Sequence, residues 1–332
     1  MHKLTLRGIG MKATITKLSN HVSRLPTPMA GLALAIASLG WAWDSMLPNM
    51  DGRGQIIGAV VAAVLLISLV VKFVIHPKIL KEDLSHPVVG SVIPTFAMGL
   101  MVVSNALGQY LPAQGRYLWL FAIMVHILFL GMFIFYRAID FKLEHMVPSW
   151  FVPPIGIIVA AVSFPGSQYE WIASATLNFG MACYLIMLPV MLYRLIFCAP
   201  ISDAAKPTIA IMAAPASLSL AGYLTINSNP SIVIVALLLS IAVLMTSVIY
   251  LAFFHLMRLP FSPGYAAFTF PMVIGATALI KAGHWLIQSF GESQLTDLIE
   301  QAAKGELFIS TAVVLYVVYR YLSHYRPMTL TA

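Results

Sequence analysis

Charge is scarce in this chain. Lys, Arg, Asp and Glu together make up 9% of its 332 residues, against 60% hydrophobic residues. A soluble domain carries about 25% charged residues, so a hydrated globular surface is excluded. Cysteine is nearly missing as well. Cys183 and Cys198 stand 15 residues apart in or just after one apolar run, about 22 Å along a helix, too far to bond to each other. They read as two small apolar side chains, and a disulfide framework is excluded. No metal-ligand spacing appears and no cofactor is implied. The chain also lacks HExxH, GxSxG, the P-loop GxxxxGK and paired acids within its apolar runs, which argues against an enzyme.

What is present is a series of ten apolar runs, at about 29–47, 55–75, 88–108, 115–136, 149–164, 171–197, 208–226, 231–257, 264–286 and 305–323. A membrane-spanning helix needs about 20 mostly apolar residues, so the sequence predicts an all-α polytopic membrane protein. The first run follows a long polar arm and precedes nine others, which sets it apart from a cleaved signal peptide. The connecting loops are short, giving a basic arm over 1–24, one transmembrane domain over 25–326 and a short tail over 327–332.

With both termini on one side, 15 Lys and Arg fall on that side and 4 on the other. The positive-inside bias then makes both termini cytoplasmic, in a plasma or inner membrane. The net charge of +7 is thereby a topology signal, and no nucleic-acid partner is implied. The acidic residues show no such bias, and core carboxylates are expected to be missing.

Proline marks a repeat. HPVVGSVIPTF, VPSWFVPPIG, KPTIAIMAAPAS and SPGYAAFTFPM each open on one proline and carry another six to eight residues later. The second prolines, Pro94, Pro154, Pro215 and Pro271, stand 60, 61 and 56 residues apart. The first run keeps the opening prolines of LPTPMAGLALAIASL but has Ala33 at the kink position. Five helical hairpins of about 60 residues follow. A proline inside a helix removes one backbone bond, leaving free carbonyls expected on Gly90, Trp150, Ile211 and Ala267. Such groups are unfavourable in lipid, so the odd, kinked helices belong inside and the even helices, rich in branched and aromatic residues, outside. Small residues such as Ala210, Ala213, Ala214, Ser217 and Gly222 suit either tight helix packing or an open lumen.

LPTPMAGLALAIASLGWAW, HPVVGSVIP, APASLSLAGYL and FTFPM, in this order and at this pitch, resemble the tellurite-resistance/dicarboxylate transporter family. It includes bacterial tellurite-resistance membrane proteins, fungal malate permeases and plant guard-cell slow anion channels. The resemblance covers about 25–326. It implies five hairpins around a quasi-fivefold axis, odd helices lining a pore in each protomer, and a homotrimer. It further implies passage of small anions (chloride, nitrate, or a dicarboxylate such as malate) and a link to tellurite resistance, a phenotype that need not make tellurite the substrate. A phenylalanine plugging the pore on the ninth helix matches Phe270, with Phe268 as runner-up. Some relatives are proton-dependent permeases, so a proton-coupled dicarboxylate permease is the alternative.

Lys281 and, one turn on, His284 lie toward the outer end of the ninth helix. They read either as an anion-attracting mouth or as residues snorkelling to the interface. His126, Asn105 and Asn178 are expected to form structural hydrogen bonds between helices, and Ser85 with His86 to cap the start of the third helix.

Overall fold

The computed structural model describes residues 19–20 and 22–325, apart from the side chain of Ser167. Most of the basic arm, and the tail over 327–332, therefore lie outside the described residues. The described chain is helical, with no strand among the described residues. We label the principal segments α1 (Met29–Met46), α2 (Arg53–Ile75), α3 (Val89–Gly108), α4 (Pro112–Ile139) and α5 (Pro148–Val162). They continue as α6 (Glu170–Phe197), α7 (Lys206–Ile226), α8 (Ile232–Leu256), α9 (Pro263–Phe290) and α10 (Gln294–His324). A short helix, Pro77–Ser85, joins α2 to α3.

Eight of these segments, all but α1 and α5, are long and apolar enough to cross a membrane. The expectation of ten thus meets an 18-residue α1 and a broken, 15-residue α5. α5 is almost wholly buried by its neighbours, and α1 has 10 of its 18 residues buried and none exposed. A helix shielded from lipid by protein has no need of high hydropathy, which is why α1 can be built from Ala, Gly and Ser.

Burial sorts the helices. In the most apolar window of α3, α7 and α9, 67%, 72% and 78% of residues are buried, against 22% to 39% in the even helices. The odd helices touch one another in a closed cycle: α1 packs on α3, α3 on the end of α5, α5 on α7, α7 on α9, and α9 back on α1. Each even helix packs on the odd helix before it. Trp43 ties α1 to α10, donating from Nε1 to Thr311 Oγ1 at 3.0 Å and stacking edge-on against Phe308.

The prolines act as local geometry demands. The first turns of α7 (Lys206–Ala213) and α9 (Pro263–Phe268) wind as 3-10 helix and continue as α-helix beyond. α5 alternates the two forms around Pro153 and Pro154. This corrects one expectation. The Ile211 carbonyl is not free: it accepts from the Ala214 N–H, because the tighter 3-10 winding uses the amide one residue before Pro215.

Four hairpins are latched at their open ends by a buried side chain of the even helix. Lys72 Nζ donates to Thr27 Oγ1 before α1, Arg137 to the Ser85 carbonyl before α3, and Tyr321 to the Pro263 carbonyl of α9. Arg194 donates to the carbonyls of Leu143, Glu144 and Ala199 at 3.0, 2.9 and 2.7 Å. Lys72, Arg137 and Arg194 recur at steps of 65 and 57 residues, so the latch follows the same repeat as the prolines.

Candidate functional site

The cycle of odd helices encloses a cavity of about 570 Å³ whose wall draws on all five. It occupies their first halves, toward the end where α1 begins and α10 ends. Its inner part is apolar, built from Met98, Phe151, Ile155, Leu218 and Phe270. Thr95 and Thr208 also line the wall, but each hydroxyl donates its proton to a backbone carbonyl three residues earlier.

The mouth carries the charges: Arg24, Asp83 and His86. Asp83 is compensated, since it accepts from Thr27 Oγ1 and pairs with Lys72 Nζ at 3.7 Å. Thr27 relays between the two by accepting from Lys72 while donating to Asp83. His86 accepts at Nδ1 from the N–H groups of Val88 and Val89. Its ring is partly withdrawn from water against the cavity wall. That desolvation holds its pKa below the ordinary 6.5, with Asp83 opposing the shift. Of the cap expected from Ser85 with His86, the His86 ring makes its part, while Ser85 Oγ turns back to the Glu82 carbonyl.

The residues singled out by sequence separate. Phe270 is buried and faces the cavity. Phe268 is fully buried away from it, packed against Tyr265 at 4.8 Å and edge-on to Phe253 of α8 at 5.5 Å. Of the kink prolines, Pro215 and Pro271 line the cavity, whereas Pro94 and Pro154 shape their helices from outside its wall. Lys281 and His284 lie beyond its lining, Lys281 half-buried and His284 exposed.

Two of the polar residues within helices behave as expected. His126 of α4 is fully buried, its Nε2 bonded to the Pro153 carbonyl at 2.8 Å. That carbonyl lies four residues before Ile157 in the part of α5 where regular winding is broken, so α4 supplies its partner. Asn105 accepts from Gln55 of α2 and donates to the Ser163 carbonyl after α5. Asn178 does not follow: it is exposed on the outer face of α6.

The expectation of a core without carboxylates is overturned. Glu306 of α10 is 6% exposed, packed beside α9, and accepts a hydrogen bond from Tyr250 of α8. The sequence places Glu306 at the outer end of the run over about 305–323, among the acids of the outer side. In fact α10 begins at Gln294, where Ser293 Oγ accepts from the Thr296 N–H and Thr296 Oγ1 from the Ser293 N–H.

Comparison with known sequences adds the following. Residues 25–322 match the family model described as SLAC1, voltage-dependent anion channel. Two proteins of Methanocaldococcus jannaschii, each named an uncharacterized transporter, are similar along most of their length. One is 26% identical over 285 residues, covering 74% of this chain and 83% of its own. The other is 25% identical over 281 residues, covering 76% of this chain and 78% of its own.

Proposed function

The chain belongs to the SLAC1 voltage-dependent anion channel family, the group of the tellurite-resistance/dicarboxylate transporters, and from that premise we propose that it passes small anions through a phenylalanine-gated pore. In this reading all ten helices cross the membrane as five hairpins around a quasi-fivefold axis. An 18-residue α1 spans about 27 Å. The 3-10 turns of α5, rising about 2 Å per residue, stretch its 15 residues to about 26 Å, close to the ~30 Å hydrocarbon thickness.

The observation that carries the proposal is the cavity bounded by all five odd helices, with Phe270 in its apolar inner wall. A ring in a narrow apolar lumen blocks hydrated ions sterically and by dewetting. Opening requires it to swing or be removed. Arg24 at the mouth, beside an already compensated Asp83, favours anions over cations, and protonation of His86 adds to that preference. A pore that holds anions weakly suits chloride, nitrate or malate. The positive-inside bias supports cytoplasmic termini, so the cavity is a cytoplasmic vestibule. The exposed apolar faces of the even helices meet lipid and, in a homotrimer, neighbouring copies. A role in tellurite resistance would be a consequence of anion passage, with no need for tellurite as the physiological substrate.

Anion efflux from proteoliposomes tests channel against coupled transport. A pore passes anions down their own gradient whatever the proton gradient. Flux that depends on an imposed proton gradient would replace the channel with a proton-coupled dicarboxylate permease.

A further inference from the structure

A second cavity, of about 250 Å³, lies outside the ring, between α8 and α10 over α9. Its floor holds Glu306, Tyr250, Thr246 and Ser217, and its rim includes the exposed Val243, Ser247 and Ile309. Those rim residues belong to the apolar outer surface of the even helices, so the groove opens toward the bilayer rather than toward the central cavity. Glu306 and Gly275 each stand 12 residues past the start of their antiparallel helices, α10 and α9. That is about 18 Å from the helix ends, near the middle of the membrane.

The bonding is one-sided. Glu306 Oε2 accepts from the Tyr250 hydroxyl, while Oε1 is buried and has no hydrogen-bond partner. Oε1 occupies the room left by a missing side chain: a Cβ built on Gly275 would stand 3.0 Å from it and 3.7 Å from Thr246 Oγ1. Nearby hydroxyl protons are already committed, Ser217 to the Ala213 carbonyl and Ser247 to the Val243 carbonyl. Among the described residues, no cation faces the carboxyl from any helix packed on it. Lys304 of α10 pairs with Glu300 at 2.6 Å. α7 brings Ser217, α8 brings Tyr250 with His255 over a turn further on, and Lys281 of α9 lies six residues past Gly275, about 9 Å along the axis. An ionised carboxylate so placed is strongly disfavoured unless a cation neutralises it.

We propose that Glu306, with Tyr250 and Thr246, forms a proton-binding site that faces the bilayer through the α8–α10 groove. Oε1 carries the bound proton, while Oε2 keeps the hydrogen bond it accepts from the Tyr250 hydroxyl. Such a carboxyl is chemically distinctive, because a lipophilic carbodiimide reaches it through the lipid. Its O–H adds across one N=C bond: the oxygen bonds the central carbon and the proton goes to nitrogen. The O-acylisourea then rearranges to an N-acylurea of the same mass.

The test uses the full chain in lipid bilayers, treated with dicyclohexylcarbodiimide and mapped by peptide mass spectrometry. Glu306 is expected to carry the adduct. A charged, water-soluble carbodiimide should leave it unmodified while labelling exposed acids such as Glu170. Labelling should fall about tenfold per pH unit once the carboxyl ionises. Glu306→Gln should lose the adduct, and Tyr250→Phe should keep it to higher pH because the ionised form loses its donor. The wild-type map stands even if a variant does not fold. An unmodified Glu306 at every pH, or equal labelling by both reagents, would overturn the site. Protection by sodium at fixed pH would also overturn it, assigning a metal cation in place of the proton.

Discussion

Phe268 and Phe270, two residues apart on one helix, face different surroundings: Phe268 is locked against Tyr265 and Phe253, and Phe270 stands in the wall of the central cavity. Two helical steps rotate a side chain by about 200°, so one turn of α9 presents a packing ring and a cavity ring on opposite sides. Truncating each should therefore give different phenotypes. Phe268→Ala leaves a void in a full core and should cost about 3–5 kcal/mol of stability, seen as a lower melting temperature in detergent, with no gain in anion flux. Phe270→Ala should cost less and raise flux.

The Arg194 latch makes three charge-assisted bonds to backbone carbonyls in a nearly dry place. Arg194→Met keeps much of the side-chain volume but abandons three carbonyls. A loss of about 3–5 kcal/mol is expected, again measured by thermal unfolding. Arg194→Lys should recover only part of it, because an ammonium lacks the planar fork that serves several acceptors at once.

His126 supplies the Pro153 carbonyl with its partner across the α4–α5 contact. In His126→Phe that carbonyl is left buried and unpaired, costing about 1–3 kcal/mol. Because α5 is a wall of the cavity, basal flux should change together with the melting temperature. An unchanged melting temperature would show that the bond contributes nothing.

His86 gives the vestibule a pH dependence with a definite sign. Its pKa is lowered by desolvation, so the folded state binds fewer protons than the unfolded chain just below pH 6.5. The stability it contributes is present above 6.5 and is lost as pH falls below that value. Protonation also removes the Nδ1 acceptor that caps Val88 and Val89 and puts a positive charge at the mouth. Anion flux should rise on acidification in wild type and lose that rise in His86→Ala.

The helix positions were legible because hydropathy and the proline pitch are local properties of the chain. α2, α3, α6 and α8 start and end within about two residues of the apolar runs. What escaped depends on partners distant in sequence. Glu306 reads as a charge at the outer end of the tenth run until α8 and α9 close over it, and the helical turns before that run are announced only by Ser293 and Thr296. Arg137 and Arg194 read as positive-inside markers, yet both are buried latches. The sequence leaves the Ile211 carbonyl free because it marks where a proline breaks α-helical bonding, not that the preceding turn tightens to 3-10. Resemblance alone ranks Phe270 above Phe268, because the residues themselves do not say which side of α9 the cavity lies on.

The most direct measurement is anion current through the purified protein in planar bilayers, wild type against Phe270→Ala, in chloride, nitrate and malate. The account predicts a nearly silent wild type and a conducting variant, with reversal potentials that follow the anion gradient. A silent Phe270→Ala alongside a wild type that moves malate only in a proton gradient would contradict it. Phe270 would then be a packing residue of a coupled permease.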